Sequence, residues 1–112
     1  MSPAMRTLRH FALAGAMVAA LAVMAPAAWA ADYVVVIDKM KFGPVPTELH
    51  PGDTITWQND DIFRHTATAR DASFDVDLPS KTAVKMVVGK TGNVEFFCKL
   101  HPGMKGTLVI AP

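Results

Sequence analysis

A chain of 112 residues with a formal net charge of +1 has room for one small domain and excludes a multidomain reading. Its single cysteine excludes an internal disulfide, and its 51% hydrophobic share is concentrated at the start. It holds no repeat, low-complexity tract or basic stripe, so no nucleic acid or anionic membrane surface is implied as a partner.

In chain order, Arg6 and Arg9 precede an apolar run from Phe11 to Ala25, and Pro26-Ala27-Ala28-Trp29-Ala30 follows. A basic start, an apolar middle and an Ala-x-Ala end make a secretory signal peptide over residues 1–30, cleaved before Ala31. The run is short for a span of about 20 residues, so no membrane insertion is expected after cleavage. Arg6 and Arg9 are not adjacent, so a twin-arginine route is not indicated. The remaining 82 residues, 31–112, form a single domain with 9 Lys+Arg against 10 Asp+Glu. An exported domain this small usually needs a staple, and a lone Cys in an oxidising compartment is intermolecular, reactive or used.

Tyr33 to Asp38 is a short β-branched run and reads as a strand. Met40 to Pro44 breaks it, and Val45 to Leu49 is extended but demoted to an edge or irregular strand by Pro46. His50-Pro51-Gly52-Asp53 is a turn. Thr54 to Asn59 alternates, with Ile55 and Trp57 on one face. Arg64 to Ala69 is extended, and Phe74, Val76 and Leu78 alternate up to Pro79. Thr82 to Val88 alternates with Val84, Met86 and Val88 inward, and Gly89 to Asn93 reads as a hairpin turn. Val94 to Cys98 and Gly106 to Ile110 are the last two strands. No helical period occurs after residue 30. The expectation is an all-β fold, an antiparallel Greek-key β-sandwich of seven to eight strands.

The segment Cys98-Lys99-Leu100-His101-Pro102-Gly103-Met104 lies between the last two strands and places a thiol, an imidazole and a thioether at three-residue steps. Each residue alone is more often a core or surface residue than a ligand. Together, with one more His, they make the soft donor set of a blue-copper site, in which Met is the weak axial ligand. His65 is the leading candidate for the fourth ligand and His50, in its turn, the competitor; His10 drops out with the signal peptide. Met is a poor zinc ligand, which disfavours a structural zinc site. Met40 and Met86 read as packing residues and Trp57 as core. Asp60, Asp61, Asp71, Asp75 and Asp77 read as a solvated acidic scatter.

Cys98-x-x-His101-Pro102-x-Met104 followed by a final strand resembles the copper loop of the cupredoxins. Its short His–Met gap is closer to the amicyanin group than to plastocyanin or pseudoazurin. Met40-Lys41-Phe42, then Pro51 to Asn59 with Trp57, then His65, follow the family's order, so the resemblance covers essentially the whole chain after residue 30. It implies His65 and His101 as imidazole ligands, Cys98 as thiolate and Met104 as axial thioether, all on one copper ion. It implies a carrier of one electron, as Cu(II)/Cu(I), between redox partner proteins: a donor such as a dehydrogenase and an acceptor such as a c-type cytochrome. The signal peptide makes the expected carrier soluble and periplasmic, a monomer is expected, and the 82 residues hold no nucleophile-and-base pair or second metal cluster, which reads as not an enzyme. His101 would lie at the docking surface with Pro102, Gly103, Phe42, Pro44 and Phe63 around it, and would protonate and leave the reduced copper. Where the family often has Asn after the upstream His, this chain has Thr66. The alternative function is periplasmic copper handling, against which stands the small number of methionines, Met40, Met86 and Met104, after residue 30. A β-sandwich interaction module with incidental Cys and His is the remaining reading.

Overall fold

Period-two runs of Val, Ile, Trp and Phe bury one face and wet the other, and this pattern builds two sheets face to face. The computed structural model describes residues 29–112. The expected signal peptide falls, apart from Trp29 and Ala30, outside the described residues. Eight strands follow: β1 Asp32–Asp38, β2 Lys41–Phe42, β3 Thr54–Asn59, β4 His65–Ala69, β5 Asp75–Leu78, β6 Thr82–Val87, β7 Gly92–Phe97 and β8 Lys105–Ile110. The described residues contain no helix. One sheet has the order β2-β1-β3-β6 and the other β5-β4-β7-β8.

The first sheet turns Val35, Ile37, Ile55 and Trp57 inward; the second answers with Ala67, Ala69, Val94, Phe96, Leu108 and Ile110. Burying each of the larger aliphatic or Phe side chains contributes about 1.5–3 kcal/mol. At the centre the Phe96 ring meets Trp57 edge-on at 5.2 Å and Phe42 at 4.8 Å. Phe96 pairs with Gly106 across the β7–β8 ladder, and a Cβ on Gly106 would stand 2.5 Å from the Phe96 ring. The glycine is therefore the space into which that ring packs.

The expected all-β sandwich of seven to eight strands is what forms, and three finer expectations are corrected. Met40 to Pro44 does not simply break the first strand: β1 and β2 form a two-residue hairpin, with Asp38 opposite Lys41. Lys39 and Met40 have φ of 52° and 61°, the left-handed pair that a type I′ hairpin turn requires. Val45 to Leu49 is not a strand but a strap with one bridge, Leu49 to Ile110. Leu49 N–H donates to the Val109 carbonyl and the Leu49 carbonyl accepts from Ala111 N–H, which carries the chain to the edge of the other sheet and back. That detour returns β3 parallel to β1 over six residue pairs, while the other ladders are antiparallel. Finally, Gly89 to Asn93 is a crossing rather than a hairpin, since β6 pairs with β3 and β7 pairs with β4 and β8.

Candidate metal centre

The three-residue spacing of Cys98, His101 and Met104 is a backbone periodicity. The Cys98 carbonyl accepts from His101 N–H at 3.2 Å, and the His101 carbonyl accepts from Met104 N–H at 2.8 Å. The Met104 carbonyl then accepts from Cys98 N–H at 3.0 Å, closing the loop just beyond the Phe97–Lys105 pair of the β7–β8 ladder. Two successive tight turns thus place the three side chains at the corners of a hydrogen-bonded ring. β7 and β8 clamp both of its ends.

His65 opens β4 in the same sheet and reaches the loop from the neighbouring strand. His65 Nδ1 stands 3.1 Å from His101 Nδ1, and Cys98 Sγ stands 3.7 Å from each. Donors sharing one small transition ion, about 2.0–2.1 Å from nitrogen and about 2.3 Å from thiolate sulfur, lie about 3–4 Å apart, so this triangle has the size of a metal site. His65 and Cys98 are fully buried, Met104 is buried in the same core cluster as Cys98, and His101 is half-buried. Burial of Cys98 and Met104 alone would suit two core residues. Two imidazole nitrogens converging on the thiol is what core packing does not require.

The surrounding bonds set which atoms face inward. Asp61 Oδ2 lies 3.0 Å from His65 Nε2, and a buried carboxylate there accepts the Nε2–H, leaving the Nδ1 lone pair toward the triangle. The same oxygen accepts Met40 N–H at 2.9 Å, and Oδ1 accepts Ile62 N–H at 2.9 Å. Its bond to the His65 side chain, then that from the Met40 amide, holds the Asp61 carboxyl below the ordinary carboxylate range. Asn59, buried at the end of β3, accepts Asp61 N–H and donates to the carbonyls of Phe63 and Leu78, which fixes the loop carrying Asp61. Thr66 N–H donates to Cys98 Sγ at 3.3 Å, and Thr66 Oγ1 accepts Lys99 N–H at 2.8 Å. Thr66 thus ties the two ligand-bearing segments together through its own amide and hydroxyl.

The structure brings together His65, Cys98 and His101 and buries Met104 beside Cys98. His50 is exposed in its turn, its Nε2 4.0 Å from Glu48, and takes no part in the triangle. Met86 packs against the core and Trp57 is buried in it, as read. Met40 is exposed, and its amide rather than its side chain matters. Phe63 lies beside His101, ring centroids 6.4 Å apart, but Phe42 packs inward on Trp57 and Phe96. Exposed Ile62 and Leu100 stand next to Phe63 and His101 in the chain and were not read as part of that surface. Asp61, read as solvated, is the functional residue that sequence reasoning missed; the available signal was a carboxylate four residues before a candidate His ligand.

A β-sandwich with a Cys-His-His triangle at one end of its second sheet defines a class of small metal-binding β-proteins. The chain belongs to the cupredoxin-like domain family, whose profile matches residues 11–110. Amicyanin from Paracoccus versutus is 28% identical over 87 residues, which cover 71% of this chain and 66% of its own, just under two thirds. A solved amicyanin variant in its reduced Cu(I) form at pH 4 is 27% identical with a TM-score of 0.60, over 71% of this chain and 82% of that one. A copper-containing nitrite reductase from Thermus scotoductus shares the fold, with a TM-score of 0.64 at 24% identity, over 72% of this chain and 22% of its own.

Proposed function

We propose that His65, Cys98, His101 and Met104 would hold one copper ion as a type 1 centre, and that the protein is a periplasmic one-electron carrier between redox partner proteins. The observation that carries this reading is the triangle of two Nδ1 atoms and one sulfur, with edges of 3.1, 3.7 and 3.7 Å. Thiolate, imidazole and thioether are the donors that suit copper, and no carboxylate oxygen enters the triangle.

Bound copper supplies the one-electron Cu(II)/Cu(I) couple; the chain supplies the rest. Asp61 keeps the His65 ring in one tautomer and orientation. The Thr66 amide shares the negative charge of the Cys98 sulfur. The backbone ring of the ligand loop, clamped by β7 and β8, holds the donors in place as charge changes. Burial of His65, Cys98 and Met104 keeps water off those donors. His101 is the half-buried donor, so its ring is the short path between the site and a docked partner. The exposed apolar side chains of Phe63 and Leu100 beside it give that partner a surface to desolvate.

The test is an optical and EPR spectrum of residues 31–112 after one equivalent of Cu(II). The expected result is an intense blue charge-transfer band with narrow copper hyperfine splitting, both lost in Cys98→Ser. A pale, tetragonal Cu(II) spectrum would sink the electron-carrier reading and bring copper handling forward.

The periplasmic part of the reading rests on cleavage after Ala30. Ala31 N–H donates to Oδ1 of the buried Asp53 at 2.9 Å, and the Ala31 carbonyl accepts from Thr54 N–H at 2.9 Å. Cleavage there turns the first bond into a charge-assisted ammonium–carboxylate pair, so the new terminus has a seat. The intact mass of protein from the periplasmic fraction should begin at Ala31. A mass retaining residues 1–30 overturns the assignment.

A further inference from the structure

The ladder between β4 and β7 is short. Thr68 faces Phe97 and Ala69 faces Phe96, and the pairing ends there. Continuing the same register toward the site would set Ala67 opposite Cys98 and Thr66 opposite Lys99. Side-chain bonds take over at these positions. The Cys98 sulfur accepts the Thr66 N–H, and the Thr66 hydroxyl oxygen accepts the Lys99 N–H. Whatever steadies the Thr66 hydroxyl therefore steadies the seam that holds the thiolate.

That hydroxyl is the first member of a closed ring. Thr66 Oγ1 lies 2.9 Å from Thr68 Oγ1, Thr68 Oγ1 lies 2.8 Å from Asp75 Oδ1, and Asp75 Oδ2 accepts Lys99 Nζ at 2.8 Å. The order of protons is forced. An ionised carboxylate only accepts, so Thr68 donates to Asp75; Thr66 then donates to Thr68 and keeps its lone pairs for the Lys99 amide. The ring starts at the Lys99 backbone and returns to the Lys99 side chain, and each bond polarises the next. Thr66 is buried and Thr68 half-buried, whereas the Lys99 and Asp75 side chains are 48% and 55% exposed. The ion pair by itself is therefore weak, and the hydroxyl relay is the stronger part.

Resting on the copper reading above, we propose that Thr68 and Asp75, neither of which reaches the donor triangle, are positioning residues for the Cys98 thiolate. They act through this directed relay, which stands in for the missing end of the β4–β7 ladder. When the relay is cut, the buried Thr66 hydroxyl loses the acceptor for its proton. Its grip on the Lys99 amide loosens, and the Thr66 N–H to sulfur bond lengthens. A thiolate with less hydrogen bonding donates more strongly to Cu(II), which lowers the reduction potential.

The experiment compares wild type, Thr68→Val, Thr68→Ser and Lys99→Met. Amide exchange is read by NMR in the reduced, diamagnetic protein, and the blue band and potential are read after oxidation. In Thr68→Val the Lys99 and Thr66 amides should exchange about three- to tenfold faster, the scale of one lost hydrogen bond, while the Trp57 amide is unchanged. The band should shift and the potential should fall. Thr68→Ser, which keeps the hydroxyl, should restore wild-type values, and Lys99→Met should change them little. Wild-type exchange and an unmoved band in Thr68→Val overturn the relay, as does a Lys99→Met effect equal to that of Thr68→Val. A wild-type protein without a blue band instead overturns the copper reading, and the two failures are thereby distinguished.

Discussion

Asp60 and Asp61 are neighbours with identical side chains and opposite fates. Asp60 binds Gln58 Nε2 from the half-exposed side of its loop, whereas Asp61 is buried against His65 Nε2 and the Met40 amide. Partners that orient a ligating His are worth about 10–100-fold in metal affinity, so Asp61→Ala should weaken copper retention by about that factor in a chelator competition. The same substitution at Asp60 should leave retention at the wild-type value. A second residue-scale prediction concerns Gly106, where an added Cβ would meet the Phe96 ring at 2.5 Å with Trp57 and Phe42 behind it. Gly106→Ala should destabilise the fold by about 1–3 kcal/mol in urea unfolding, the scale of an overpacked core.

Among the elements, the β1–β2 hairpin stores strain. Its turn places Lys39 and Met40 in left-handed conformations that Asn-Gly adopts easily and that side chains with a full Cβ resist. The turn also delivers the Met40 amide to Asp61, so the strained residues sit one bond from the carboxylate that orients His65. Replacing the pair by Asn-Gly (Lys39→Asn with Met40→Gly) keeps that amide and removes the strain. The expected gain is about 1 kcal/mol in urea unfolding, with an unchanged blue band. A loss of stability would mean that the Lys39 or Met40 side chain contributes more than the strain removes. Thr66 makes a related point. Where the family often has Asn, the Thr66 backbone amide donates to the Cys98 sulfur while its hydroxyl accepts the Lys99 N–H, so both ligand segments are still tied.

The whole molecule depends on several carboxylates whose native partners hold them below their ordinary range. The Ala31 and His50 amides do so for Asp53, and Lys99 then Thr68 for Asp75. The Ser73 side chain and amide, then Lys90, bring Asp71 to about 2 from an ordinary 3.8. Because these native values lie below the unfolded ones, the unfolded chain binds the extra protons as pH falls. Their contribution is whole above about pH 5 and is lost progressively as pH drops through the unfolded value of 3.8 toward about 2. Stability should therefore be flat from about pH 5 upward on their account and decline in acid below about 4, followed by thermal unfolding across that range. Asp71 and Asp75 are exposed and screened, so Asp53→Asn should shift the acid limb more than Asp71→Asn.

Much of this was legible from sequence because it is local. Period-two alternation in Thr54–Asn59 and Val94–Phe96 reports which face is buried without reference to any partner strand. The three-residue spacing of Cys98, His101 and Met104 is itself the repeat of two linked turns, so a ligand loop could be read from seven residues. Pairing across the fold was not legible. The parallel return of β3 depends on a strap that crosses to β8, and the transfer at Gly89 to Asn93 depends on which sheet has room for β7. His65 was already favoured over His50 by its place in the family's order, but the choice of Asp61 over Asp60 was made in three dimensions. Aspartates of equal chemistry differ only in what the two sheets bring within about 3 Å of them, the range in which a hydrogen bond is made. The sequence alone determined the donor set and the strands that carry it; the tertiary structure decided which donors meet, because long-range packing sets their distances.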